Sequence, residues 1–245
     1  MRREREKEMP QLRSDTTLKH AMPFWCSLLL LPLLWVTAIL GGWSFLLVVF
    51  STWVLFSILD AALGLNPVNE DPETDKSLLY WHRLIIQLWA PLQCVTLFSL
   101  IWYTEQSDLN PLEKVGLFLG VGIVTGAVGI NYSHELMHQS PKRERAMGDW
   151  LLAMVLYSHF RSEHLLVHHR YVGTRKDAVT ARYNEGFHNF FLRVLKESLI
   201  SAFQAEKDKC ARKGLPWYDR SNPFFLYWGL QTVMLLLALF LGGWG

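Results

Sequence analysis

Cysteine is scarce in this 245-residue chain: Cys26, Cys94 and Cys210 are the only three, and no CxxC or Cys/His finger spacing joins them. That excludes a disulfide framework and a thiolate metal site. No glycine-rich loop of the phosphate-cradling kind is present, so a nucleotide cofactor bound by this chain is not expected, and any electrons it uses must come from a partner. No internal repeat occurs. Charged residues make up 19% of the chain and the net charge is +2, a balance foreign to nucleic-acid binders and acidic-tail proteins. What is abundant is apolar. Hydrophobic residues reach 51% and aromatic ones 13%, with eleven Trp, in blocks that match the roughly 20 residues a helix needs to cross a bilayer. The expected fold class is all-α, a polytopic transmembrane helix bundle with five spans.

In order, residues 1–20 carry six Lys or Arg against Glu4, Glu6, Glu8 and Asp15, with no apolar run before a cleavage site. They read as a charged cytosolic tail rather than a signal peptide. Residues 21–138 hold four spans, about 21–40, 43–63 after a Gly41-Gly42 turn, 79–103, and 112 into the first histidine pair. Between the second and third lies the polar loop GLNPVNEDPETDK, and Pro111 suits the first position of the fourth helix. Gly116, Gly120, Gly122, Gly126 and Gly129 mark a face of that helix where a neighbour can pack closely. Residues 139–222 hold fifteen of the 24 Lys and Arg. Their one strongly apolar run, Trp150–Phe160, is too short to span, so they are expected to form a cytosolic cap of short and amphipathic helices. A fifth span occupies 223–245. With 22 of the positive charges on one side, the positive-inside rule puts the N-terminus, the histidines and the cap in the cytoplasm, as in a bacterial inner membrane protein.

Six of the nine histidines fall within 36 residues, in HELMH and then HFRSEHLLVHHR. His134 and His138 stand at i and i+4, roughly 40° apart around a helix and about 6 Å along it, so both rings can face one point. His164 and His168 repeat the step, and His169 follows. Five imidazoles aimed at one region exceed a single tetrahedral ion with its about four protein ligands, which points to more than one metal. Imidazole suits iron, copper, zinc or nickel, so ligand type does not name the ion. HELMH alone also fits a surface pair, or the H-E-x-x-H zinc-protease signature with Glu135 as general base.

HELMHQ, SHFRSEHLLVHHR, GTRKDAVTAR and NEGF, with the second span ending in Asp60 before an acidic Gly/Asn/Pro loop, resemble the membrane-bound alkane 1-monooxygenases of the fatty acid desaturase and hydroxylase superfamily. The resemblance implies two non-haem iron ions held almost wholly by histidine, activating dioxygen to hydroxylate a terminal methyl group. It implies His134, His138, His164, His168 and His169 as ligands, with Glu135, Glu163 and Asp177 orienting ring N–H groups and His159 giving a supporting hydrogen bond. The partners implied are the lipid bilayer, an apolar alkane-like substrate, and a rubredoxin-type carrier with its reductase, for which the basic cap offers a dock. Trp53, Phe56 and Trp89 are candidates for limiting chain length in a substrate channel; each also fits ordinary lipid-facing or packing roles. His20, His82 and His188 read as structural. Such proteins carry a third histidine box that this sequence does not contain, so the chain is expected to be an N-terminal fragment. Desaturation or hydroxylation of fatty acyl or alkyl-aromatic substrates, intramembrane zinc proteolysis, and a truncated non-catalytic relative remain alternatives.

Overall fold

The computed structural model describes residues 11–13, 18–63, 68–70 and 79–243. Most of residues 1–20, the loop between the second and third spans, and the side chain of Asp60 lie outside what it describes. Among the described residues the regular structure is helical save for one three-residue parallel pairing, Gln11–Arg13 beside Val68–Glu70, with Gln11 opposite Val68. Among the described residues five helices are long and apolar enough to cross a membrane: Leu18–Leu40, Gly42–Leu59, Tyr80–Gln106, Pro111–Met137 and Phe224–Gly242. They match the five expected spans closely. The contacts divide the chain into two compact units, residues 1–132 and 133–245.

In the first unit, the sequence explains the local irregularities. The first span passes through a 3-10 turn at Cys26–Leu29. Pro32 has no N–H for the carbonyl of Leu28, and its ring crowds that carbonyl, so the regular ladder cannot run through. The span ends at Thr37–Gly41, where the Gly41 N–H donates to the Thr37 carbonyl at 3.1 Å. Gly41 and Gly42 both take positive φ, 60° and 56°, which the absent Cβ makes cheap. The expected turn is therefore present. Pro111 does open the fourth span. Asn110 caps it, accepting from the N–H groups of Leu112 and Glu113 at 3.0 and 3.1 Å, while Glu113 accepts from the Asn110 N–H at 2.7 Å. This is a reciprocal capping box.

The glycine face is only partly as expected. A Cβ on Gly116 would come within 2.5 Å of the Phe45 ring, one on Gly120 within 3.4 Å of Val48, and one on Gly129 would strike the Gln93 amide. Gly122 and Gly126 have nothing within 4 Å. Gly116, Gly120 and Gly129 face neighbouring helices; the other two meet open space, so their reading as packing glycines is corrected.

In the second unit, Lys142–Met154, a helix over 160–171, Phe187–Arg212 and the last span Phe224–Gly242 pack together. The expectation of short helices fails for Phe187–Arg212, which runs 26 residues. Its buried stripe, Val194, Ser198, Ala202, Glu206 and Cys210, repeats every fourth residue. That one-sided periodicity carries a long helix without making it apolar enough to span. Two helices of this unit end in the same way. Gly214, at φ 71°, lets the Leu215 N–H reach the Cys210 carbonyl and its own N–H reach Ala211. Leu156 takes the equivalent place at φ 56°, with Tyr157 N–H on the Leu152 carbonyl and its own N–H on Ala153. Both are Schellman stops, but one has a leucine in the left-handed position that glycine normally fills.

Candidate metal centre

The histidines come from two helical segments of the second unit. His134 and His138 sit on the last turn of the fourth span and just beyond it. His164, His168 and His169 lie on the 160–171 helix, which is held in place by buried polar groups. Ser162 Oγ donates to Glu206 Oε1 at 2.8 Å and lies 2.8 Å from the Tyr227 hydroxyl. Lys209 Nζ donates to the other Glu206 oxygen at 2.9 Å. One residue earlier, Arg161 pairs with buried Asp149 at 2.5 Å. Sequence reasoning missed this scaffold. Glu206 and Tyr227 lie 44 and 65 residues from Ser162, and no local pattern links them.

Between 164 and 168 the helix widens into a π turn. In an α-helix His164 and His168 would share a face; the extra residue per turn brings His169 round instead. His169 Nε2 lies 2.8 Å from His164 Nε2. His134 Nε2 and His138 Nε2 stand 2.9 and 3.1 Å from the same atom. The ligand nitrogens of His134, His138 and His164 thus lie within 4.8 Å of one another, with His169 beside His164. His168 stacks on His164 with ring centroids 5.4 Å apart and turns its Nδ1 to Asp177 Oδ2 at 3.0 Å. That hydrogen bond fixes its proton on Nδ1 and leaves Nε2 as the ligating atom. Asp177 is itself buried and held by Thr180 Oγ1 at 2.6 Å and the Val179 N–H at 3.0 Å. Burial acts to raise its pKa, but these bonds and His168 outweigh burial and keep the carboxyl below its ordinary range.

The residues fit a cation. One ring N–H on His164 cannot serve three neighbouring nitrogens, so lone pairs face lone pairs unless an ion lies among them. Neighbouring nitrogens at right angles round an ion with bonds of about 2.1 Å stand roughly 3 Å apart, as they do here. Burial, with the surrounding imidazoles, pushes His164 down to about 4; burial likewise lowers His138. Both rings are therefore neutral near pH 7, the form that ligates.

The other candidates are placed as follows. Glu163 is fully buried, and both its oxygens lack a hydrogen-bond partner among the described residues. Burial first and Asp177 second push it up to about 7, against the pull of His168. His159 Nε2 is also buried and unpartnered among the described residues, with burial driving it down to about 4 and its ring edge-on to Tyr157 at 4.7 Å. Glu135 is exposed, 3.4 Å from His134 Nδ1, on the far side of that ring from the converging nitrogens. In the first unit, Trp89 is buried and donates to Gln93 Oε1 at 2.7 Å, while Trp53 and Phe56 are exposed. His82 packs edge-on to Phe24 at 5.4 Å and His188 to Phe187 at 5.7 Å.

Residues 114–245 match the fatty acid desaturase family. The chain is similar to alkane 1-monooxygenase 2 of Pseudomonas aeruginosa, 33% identical over 211 residues, covering 82% of this chain and 54% of the relative. Alkane 1-monooxygenase 2 of Alcanivorax borkumensis is 28% identical over 242 residues, 89% and 62% of the two chains. The xylene/toluene monooxygenase hydroxylase component of Pseudomonas putida is 30% identical over 135 residues, 55% and 36%. The chain spans about half the length of the first two alkane 1-monooxygenases it matches.

Proposed function

Because the chain belongs to the fatty acid desaturase family, and both histidine boxes lie inside the matched residues, we propose that it forms the metal-binding part of a membrane alkane monooxygenase. The observation that carries this reading is the convergence of His134, His138 and His169 on His164 Nε2. Iron bound there would supply the activation of dioxygen and the insertion of one oxygen atom into a terminal C–H bond. His134, His138 and His164, whose ligand nitrogens lie within 4.8 Å of one another, would hold one ion, and His168 and His169 would serve a second, in keeping with a di-iron site.

The protein's own residues prepare the place. Asp177 orients His168, and the π turn brings His164 and His169 together. Phe160 lies against His164 with ring centroids 5.3 Å apart and keeps bulk water from that face of the ring. Glu163, pushed up to about 7, keeps a proton on its carboxyl at slightly acid pH. The substrate this reading implies is an alkane drawn from the lipid, with Trp53, Phe56 and Trp89 of the first unit as the residues that would limit its chain length. Residues 1–20, both boxes and 139–222 face the cytoplasm, where the fifteen Lys and Arg of that last segment meet an acidic rubredoxin-type carrier that its reductase supplies. Glu135, lying on the Nδ1 side of His134, is not where a protease base would act.

The test combines metal content with products. Membranes holding the protein, a rubredoxin and its reductase are given octane, dioxygen and NADH. The expected results are 1-octanol, iron that co-purifies as an exchange-coupled pair by Mössbauer spectroscopy, and loss of both in His138→Ala. Zinc in place of iron, or unsaturated acyl chains formed while octane stays intact, overturns the reading.

A further inference from the structure

The first half of the Phe187–Arg212 helix carries a large apolar face that nothing in its own unit covers. Phe187, Phe191, Leu192, Leu195, Leu199 and Ile200 are all exposed, in the i, i+4 rows that form one side of a helix. The adjoining row, led by Val194 and Ser198, is buried against the unit. One flank is tied down by ions: Arg193 donates to Glu185 at 2.6 and 2.7 Å and to Glu197 at 3.2 Å. Beyond Ile200 the exposed residues change character to Gln204, Lys207, Asp208 and Arg212. An exposed apolar patch of this extent marks an interaction surface.

The level of the helix identifies what covers it. Phe203, one turn past the stripe, packs on Phe224 at 5.1 Å and on Trp228 at 6.4 Å, the opening turns of the last span. Trp217 and Tyr218, exposed just before that span, are the amphipathic aromatics that gather where membrane meets water. Phe203 also touches Trp217 at 5.8 Å. The helix therefore crosses the last span at the height of its aromatic belt. We propose that residues 187–200 lie in the plane of the membrane interface, their apolar face in the acyl–headgroup boundary, and that the helix leaves the lipid after Ile200. The immersed part is roughly 21 Å long at 1.5 Å per residue, and helices of this kind sink about 5–10 Å into the boundary. Lys196, exposed between Leu192 and Ile200 in one row of the stripe, extends its ammonium to the headgroups along its aliphatic stem. This inference rests on Phe224–Gly242 spanning the bilayer, and not on the chemistry of the metal centre.

Nitroxide labels placed singly at Leu192, Leu199, Lys207 and Asp208, in the full chain with Cys26, Cys94 and Cys210 replaced and reconstituted in lipid bilayers, test it. Leu236, exposed within the last span, serves as the membrane reference. The expected result is strong relaxation by oxygen and weak relaxation by a water-soluble nickel chelate at 192 and 199, as at 236, with the reverse at 207 and 208. Nickel access at 192 and 199 beside a lipid-like 236 overturns the proposal, since the stripe then stays in water. Shielding of both positions from both agents also overturns it and points to a covering protein. A water-exposed 236 removes the span itself, and the proposal with it.

Discussion

Two side chains in the second unit do work their residue types did not announce. Asp177 is nine residues from the ring it orients, and its carboxylate sets which nitrogen of His168 is free. Asp177→Asn keeps the shape but weakens the acceptor and can present an N–H to the ring. The expected loss is about 10- to 100-fold in metal affinity, read as iron retained during dialysis against a chelator, with the helical circular dichroism unchanged. Leu156 stands in a left-handed conformation at φ 56°, where an L side chain costs about 1–2 kcal/mol. Leu156→Gly removes that cost and gives back some freedom to the unfolded chain. A net gain of about 1 kcal/mol is expected in the free energy of unfolding. A loss of stability in that variant would mean that the exposed leucine packs against something outside this chain. The nearness of His134 and His138 was legible in the sequence because spacing on a helix is a local property, whereas the π turn that brings His169 rather than His168 to His164 was not. Asp177 could be placed only by family resemblance, and the buried Glu206 and Tyr227 not at all, because partners 44 or 65 residues apart leave no periodic trace.

Helix ends and helix faces differ in how openly the sequence declares them. The Asn110-Pro111 start and the Gly41-Gly42 stop were readable, since each depends on the backbone preference of one or two residues. Which glycines of the fourth span matter was not, because five glycines spread over more than one face and only three-dimensional packing selects among them. Gly116→Ala is expected to push against the Phe45 ring and cost about 1–3 kcal/mol, as overpacking does. Gly122→Ala, with open space around it, should be neutral or slightly stabilising through its better helix propensity. Steric-trap or denaturant unfolding in detergent separates the two; equal effects would contradict the packing described. The 26-residue length of Phe187–Arg212 was concealed for another reason. Its buried face includes Ser198 and Glu206, which a count of apolar residues scores as surface.

Across the whole molecule, composition alone foretold the five long apolar helices, because crossing a bilayer demands length and apolarity and little else. Orientation is a separate matter of charge. A green fluorescent protein fused after Ser140 is expected to fluoresce and alkaline phosphatase fused there to stay inactive; the opposite pair of results would reverse the proposed sidedness. The centre itself depends on the widened turn at His164–His168, and this has a consequence for ancestry. A wide turn acts as one extra letter in the helical reading, so His-x4-His in a widened helix and His-x3-His in a regular one present their rings in nearly the same direction. Gain or loss of a single codon in such a turn can be absorbed by changing the type of winding while both rings stay on the metal. Descendants of one ancestral site can then carry differently spaced boxes, and a search that insists on fixed spacing would divide relatives whose metal centres are the same.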